Sequence, residues 1–367
     1  MMYQFDNRVV LILDAGGTNF VFSALKGGRL IADPITLPAN ADNLEKCLYA
    51  LRTGFETVKE NITESPVAIS FAFPGPANYP EGIISNSLPN FPAFANTEGF
   101  PLKDYLEDIF QIPVFINNDG DLYAFGEAHF GFLPKVNARL RDLGSNKQYK
   151  NLIGLTFGTG FGAGIVIDGK LLIGDNSCGV EIFPLRNREL PDCFVEETVS
   201  VRGLVRMYRE EAKNSGIDVT PQDIFLIAEG KLDGDQSAAI HTFERFGYVV
   251  SDAIAAAVTL VDGLVVIGGG LAGASKYFMP TILDQLNGTI GKVAGGSIPR
   301  IPQKVYDLNN EASFNVFANN GGVALELNNK KIWYDRERKI GIGISNIGAT
   351  TAIMRGAYSY ALSQLGE

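Results

Sequence analysis

Apolar runs in this chain tend to be short, and several of them end in glycine. Residues 9–13 (VVLIL) are continuously apolar and stop at Asp14 and the turn Ala15-Gly16-Gly17-Thr18, the pattern of a buried strand entering a glycine turn. Residues 19–25 predict a second strand, Lys26-Gly27-Gly28 a hairpin turn, and residues 30–37 a third strand. Over 43–59, Leu44, Cys47, Leu48, Leu51, Phe55 and Val58 fall at helical spacing. Residues 67–73 read as a buried strand stopped by Pro74-Gly75-Pro76, and 101–109 as a short helix. Residues 114–116 read as a strand ending in Asn117-Asn118-Asp119, with a helix over 121–129.

The outline then recurs. Residues 152–157 form an apolar strand ending in Gly158-Thr159-Gly160-Phe161-Gly162, and 163–167 with 170–173 predict a hairpin around Asp168-Gly169. Helical stretches span about 201–213 and 235–261, and 264–267 is a strand ending in Gly268-Gly269-Gly270. Residues 134–150 are polar and basic and read as a surface excursion. Both halves open with strand, glycine turn, strand, turn, strand. This predicts an α/β chain of two lobes facing a nucleotide-binding cleft. The boundary falls near Asn118, giving lobes of 1–118 and 119–348. The last helix, from 349, fits either lobe, and 349–367 is assigned to the first.

Composition narrows the function. Apolar residues make up 46% and charged residues 20% of the chain, as in ordinary globular proteins. A net charge of -10 argues against nucleic-acid binding, which needs a basic surface. Any polyanionic substrate must therefore be held by local geometry. Cys47, Cys178 and Cys193 form no CxxC pair and only His129 and His241 are present, so neither a disulfide framework nor a zinc site is expected. No apolar run reaches about 20 residues and no secretory leader is evident, so no membrane span is expected and the cytoplasm is the expected compartment.

The glycine turns carry the candidate chemistry. In Asp14-Ala15-Gly16-Gly17-Thr18, glycines let backbone amides face an anion, Thr18 adds a hydroxyl, and Asp14 is placed to hold water on Mg²⁺. Each feature also suits a plain hairpin turn. Gly158-Thr159-Gly160 is a second phosphate candidate against the same alternative. Gly268-Gly269-Gly270-Leu271-Ala272-Gly273 formally fits GxGxxG, but no second strand ending in an acid follows, so a nicotinamide-dependent oxidoreductase is a distant reading. No GxxxxGK[ST] segment exists. Asp119, at a strand end before a helix, can accept a proton from a substrate hydroxyl or merely cap that helix. Asn90 offers paired donor and acceptor geometry for sugar hydroxyls.

Taken in order, LDAGGTN (13–19), PGP (74–76), SLPNFP (87–92), NNDGDLYAFGE (117–127), TFGTGFGAGIVIDGKLLIG (156–174), VEETVS (195–200), VVIGGGLA (265–272) and GATTAIMRGAY (348–358) resemble the ROK family of sugar kinases and related regulators. The resemblance spans nearly the whole chain. It implies a two-lobed actin-like ATPase (ribonuclease H-like) fold with an interlobe cleft, and ATP-dependent phosphorylation of a hexose or hexose derivative with ATP and Mg²⁺. It places Asp14, Gly16, Gly17, Thr18, Gly158, Thr159 and Gly160 at the ATP phosphates and Gly268, Gly269 and Gly270 by the adenosine. Asp119 becomes the catalytic base, and Asn90, Asn118, Glu181 and Glu196 sugar contacts. It also implies a homodimer.

The departures are local. Most members carry a GE-x-GH segment and a CxCGxxGCxE zinc loop, where this chain reads CGVEIFPLRNRELPDCFVEETVS (178–200). Glu181 matches the acid, the histidine position falls on Pro184 or Phe183, and only Cys193 stands in the loop, so no zinc is expected. The resembling regulators have a helix-turn-helix segment before the first turn, for which no room is expected here. The rival readings are a sugar-sensing protein without turnover, and another activity of the superfamily such as an ATPase-type chaperone or an acetate-type kinase.

Overall fold

The computed structural model describes every residue except Met1, Gly17, Pro76, Ser87, Pro89, Asn90, Ser215, Ile217, Asn320 and Glu367, with Met2 and Trp333 described by backbone alone. The chain divides into two compact units, one of residues 1–134, 164–180 and 346–367, the other of 135–163 and 181–345.

In the first unit, β1 (Val9–Ala15) and β2 (Asn19–Lys26) form an antiparallel hairpin. Parallel to β1 lies β5 (Pro66–Ala72), and parallel to β5 lies β9 (Val114–Asn117). The expected third strand is split into β3 (Arg29–Leu30) and β4 (Ile35–Pro38), both on β2. Asp33-Pro34 lies between them, and proline has no N–H to give a ladder. Short strands β6 (Ala77–Asn78), β7 (Ile83–Ile84) and β8 (Phe100–Pro101) form a separate sheet. Register aligns Asp14 with Ala72, and Ala72 with Asn117, so three parallel strands end together and present their C-terminal residues side by side.

Helix α1 (Leu44–Glu60) starts where Asn43 accepts the Lys46 amide at 3.0 Å. It buries Cys47, Leu51, Phe55 and Val58, the stripe its spacing predicted. With α2 (Leu102–Phe110), these side chains join an aromatic core that includes Phe20, Phe22, Phe71, Phe73, Phe91 and Phe94. Helix α3 (Asp119–His129) follows β9, and the final helix α10 (Ala349–Leu365) packs on it. The two helices meet backbone to backbone. A Cβ at Gly126 would lie 1.9 Å from the Ala352 oxygen, and one at Gly356 would lie 1.8 Å from the Leu122 oxygen. The helix that begins at Asp119 is thereby seated on α10 at a separation only glycine permits. A hairpin of β11 (Phe161–Ile167) and β12 (Lys170–Leu171) turns at Asp168-Gly169, both with positive φ.

The second unit is built on four parallel strands in the order β10 (Leu152–Phe157), β13 (Leu264–Gly268), β19 (Lys339–Ile344) and β16 (Lys304–Asp307). Residues 134–150 are expected as a surface excursion, but 134–142 belong to helix α4 (Phe132–Asp142). Val136 and Leu140 are buried, and the Arg139 guanidinium lies 3.7 Å from the Phe314 ring. The charged residues hid an apolar stripe at helical spacing. Helices α5 (Val201–Glu211), α6 (Pro221–Ala228), α7 (Gln236–Val261), α8 (Ser275–Asn287) and α9 (Glu311–Ala318) complete the unit. Two hairpins, β14 (Thr289–Gly291) with β15 (Ser297–Pro299) and β17 (Val323–Leu327) with β18 (Lys330–Tyr334), also belong to it. Among the described residues, no helix is long and apolar enough to cross a membrane.

Candidate functional site

Each unit contributes its own part. In the first, the Gly16 amide donates to the Asn19 oxygen at 3.0 Å and closes the β1–β2 turn, leaving Thr18 exposed. Asp14 is half-buried at the end of β1, and among the described residues none donates a hydrogen bond to its carboxylate. Burial raises its pKa, and the nearby negative charge of Asp119 raises it further. Gly17 lies outside the described residues.

Asp119 stands at the head of α3 because β9 ends two residues earlier at Asn117, with Asn118 between them. The Asn117 Oδ1 accepts the Asn118 amide at 2.7 Å, and the Asn118 Oδ1 accepts the Gly120 amide at 2.7 Å as the helix N-cap. Capping therefore falls to Asn118, which frees Asp119 from that duty. The Asp119 Oδ1 also accepts the Gly120 amide, at 2.8 Å. This carboxylate keeps a face open to solvent, yet protein crowds its other sides. That crowding strips hydration from the charged form and pushes its pKa up, against the lowering effect of the backbone donors.

Two neighbouring carboxylates, both raised in pKa by burial and one of them without protein donors, form a fitting place for a divalent cation. Asp14 would hold Mg²⁺ through oxygen. Among the described residues no group of three or more His, Cys, Asp or Glu side chains converges, so phosphate and water would supply the remaining ligands.

In the second unit, the Gly158 amide donates to the Gly160 oxygen at 3.1 Å, and the Gly158 oxygen accepts the Val201 amide at 2.9 Å. The second glycine turn is thus tied to the start of α5, with Thr159 exposed. Glu196 lies against the turn. Its Oε2 accepts the Phe161 amide at 2.8 Å, and its Oε1 accepts from Arg202 at 3.0 Å. A Cβ at Gly160 would come 2.8 Å from that Oε2, so a side chain there would displace the Glu196 carboxylate from this position. Glu181 is exposed on the loop that leads to Glu196.

The third glycine segment adjoins the second. Gly268 ends β13 in register with Thr156 of β10. Gly269 has φ of +87°, and a Cβ there would lie 2.3 Å from the Phe157 oxygen, which makes this glycine a structural necessity. At Gly270 a Cβ would meet nothing within 4 Å. Gly270, Leu271, Gly273 and Ala274 line a recess of about 110 Å³ with Gln222, Phe225 and Phe243. The rim of that recess is held by Tyr277, which stacks on Phe243 at 5.6 Å and donates to Glu229 at 2.6 Å. The Lys276 contact, with that of Tyr277, holds the Glu229 carboxyl down at about 2.

The first unit therefore joins Asp14, Gly16 and Thr18 to Asn118 and Asp119. The second joins Gly158, Thr159, Gly160, Gly268, Gly269, Gly270 and Glu196. Asn90 lies outside the described residues. Sequence reasoning missed Arg202 and the recess residues Gln222 and Phe225. The i, i+3 spacing of Gln222 and Phe225 after the Thr220 capping box was the available signal for a helix face.

The chain is similar to proteins of known family. The family model for the ROK family matches residues 10–302. The crystal structure of a glucokinase from Parabacteroides distasonis is 53% identical, covers 99% of both chains and superposes with a TM-score of 0.89. A glucokinase from Halalkalibacterium halodurans is 27% identical over 319 residues, covering 79% of this chain and 88% of that one. A ROK family glucokinase from Streptomyces griseus, solved with glucose and AMPPNP, is 18% identical, covers 96% of this chain and 98% of that one, and has a TM-score of 0.58. With the family match covering most of its length and solved relatives of the same architecture, the chain belongs to the ROK family and has its two-lobed actin-like ATPase fold.

Proposed function

We propose that this protein transfers the γ-phosphoryl group of ATP to a hydroxyl of a hexose or hexose derivative. The observation that carries the reading is Asp119, a carboxylate at a helix head, relieved of capping by Asn118, open on one side and raised in pKa by its surroundings. A base with a raised pKa is better matched to a hydroxyl proton in phosphoryl transfer. The relatives named glucokinase support a hexose acceptor.

In this reading Asp119 takes the hydroxyl proton while the oxygen attacks the γ-phosphorus and ADP leaves. Gly16, Gly17 and Thr18, with Gly158, Thr159 and Gly160, donate to the phosphates. Gly268, Gly269 and Gly270 border the adenosine, whose base enters the recess beside Phe225 and Phe243. Asn90, Asn118, Glu181 and Glu196 orient the sugar. Mg²⁺ held through Asp14 offsets charge on the phosphates when bound.

ADP release measured across hexoses, hexosamines, N-acetylated amino sugars and sugar acids tests the activity. ADP release at the same rate without any sugar would replace this reading with an ATPase. Sugar binding without ADP release would replace it with a sensor.

A further inference from the structure

The segment between Glu181 and Glu196 contains no helix or strand longer than the isolated Arg186–Phe194 bridge, yet at its centre sits Asn187, a polar side chain with 0% exposure. Every hydrogen-bonding position of that amide is used. Its Oδ1 accepts the Glu189 and Leu190 amides, both at 3.0 Å. Its Nδ2 donates to the Thr198 Oγ1 at 2.8 Å and toward the Phe194 oxygen at 3.4 Å. The backbone closes around it, with the Asn187 amide on the Cys193 oxygen at 2.9 Å and the Val195 amide on the Leu185 oxygen at 2.7 Å. The next two residues anchor the loop to α7, through Arg188 to Asp252 and Glu189 to Arg245.

Thr198 is itself fully buried and ends the short 3₁₀ turn Val195–Glu197, its amide on the Val195 oxygen at 3.0 Å. Glu196 is in that turn and reaches the Phe161 amide of the second glycine turn. An unbroken series of bonds thus runs from Asn187 through Thr198 and the Glu196 turn to Phe161. We infer that Asn187, through its bond to Thr198, is the positioning residue that sets Glu196 against the second glycine turn, and so controls sugar affinity rather than the chemical step. The affinity part rests on the reading of Glu196 as a sugar contact; the positioning part does not.

The deciding substitution is Thr198→Val, which keeps shape and removes only the hydroxyl that receives Asn187. Hydrogen exchange by mass spectrometry on the full chain should show faster exchange in the peptide containing Phe161, with the 9–26 hairpin unchanged. Sugar KM should rise about tenfold, in line with a buried donor left unpaired, while kcat changes less than about threefold. Thr198→Ser should restore both readouts. Unchanged exchange at Phe161 in Thr198→Val would overturn the strut outright, whatever the activity. Faster exchange with unchanged KM, while Glu196→Gln raises KM, would overturn the affinity role and leave the kinase reading standing. If no sugar is turned over by the unsubstituted protein, the kinase reading falls alone, and the exchange result still decides the strut.

Discussion

The two glycine turns follow similar strands and solve the same backbone problem, but they obtain their acidic partner differently. The first carries its acid within the strand, since Asp14 is one of the last residues of β1 and its neighbour Asp119 arrives by strand register through Ala72 and Asn117. The second has no acid of its own. Glu196 comes to it from 35 residues away and bonds directly to its Phe161 amide. A carboxylate free of protein donors suits a cation, whereas one already bonded to an amide and an arginine suits the shaping of a neutral ligand's pocket. In the proposed reading both turns present amides to the phosphates, and their acids divide the remaining work, with Asp14 toward the cation and Glu196 toward the sugar.

The largest effect expected from that contrast is at Asp119. Asp119→Asn should keep sugar binding and lower kcat by about 10²–10⁴-fold, measured by coupled ADP release and by sugar titration calorimetry. Near-normal turnover would remove the first turn's claim to the chemistry. Asp14→Asn should cost about 10–100-fold, with a matching rise in the Mg²⁺ concentration needed for half-maximal rate. A loss insensitive to Mg²⁺ would separate Asp14 from the metal.

Glycine substitutions sharpen the second turn. Gly269→Ala forces a Cβ onto the Phe157 oxygen at positive φ and should destabilise the fold by about 1–3 kcal/mol, seen as a lower Tm. At Gly158 an added Cβ meets nothing within 4 Å, so Gly158→Ala should leave Tm nearly unchanged and raise the KM for ATP. Equal Tm losses for the two variants would end the distinction between structural and phosphate-facing glycines.

The smallest effect is the pH dependence. The raised pKa of Asp119 means that the base is lost by protonation at a pH above about 4, the ordinary carboxylate value, and the rate should fall on the acid side accordingly. The stability sign is the opposite of the usual one. A carboxyl whose folded pKa exceeds its unfolded value binds more protons when folded, so its ionisation costs stability above the folded pKa. Asp119→Asn should therefore raise Tm near neutral pH, with the gain shrinking as pH falls through the raised pKa. A Tm gain that is constant with pH would assign it to another cause.

Much of this was readable along the chain. The stripe Cys47, Leu51, Phe55 and Val58 announces α1 because helical periodicity is a property of consecutive residues. The strand ends at Asp14, Asn117 and Gly268 are equally visible, since an apolar run must stop where the backbone turns. Two local features misled. Asp33-Pro34 broke an expected strand, and charges between Leu133, Val136 and Leu140 concealed α4. At the candidate site, the glycines and Asp119 carry their chemistry in their residue types. Asn187, Thr198 and Arg202 do not, because an asparagine, a threonine and an arginine in a loop usually signify turns and solvent.

The sequence by itself determined the strand and helix periods, the glycine bends and the acids at strand ends, all of which depend on neighbours a few residues away. Only the tertiary structure decided that Asn118 caps α3 in place of Asp119, that Gly126 and Gly356 bring two helix backbones together, and that Glu196 settles on the Phe161 amide. These outcomes turn on which distant groups packing brings within hydrogen-bond reach, and a buried polar group must take the partner that packing supplies.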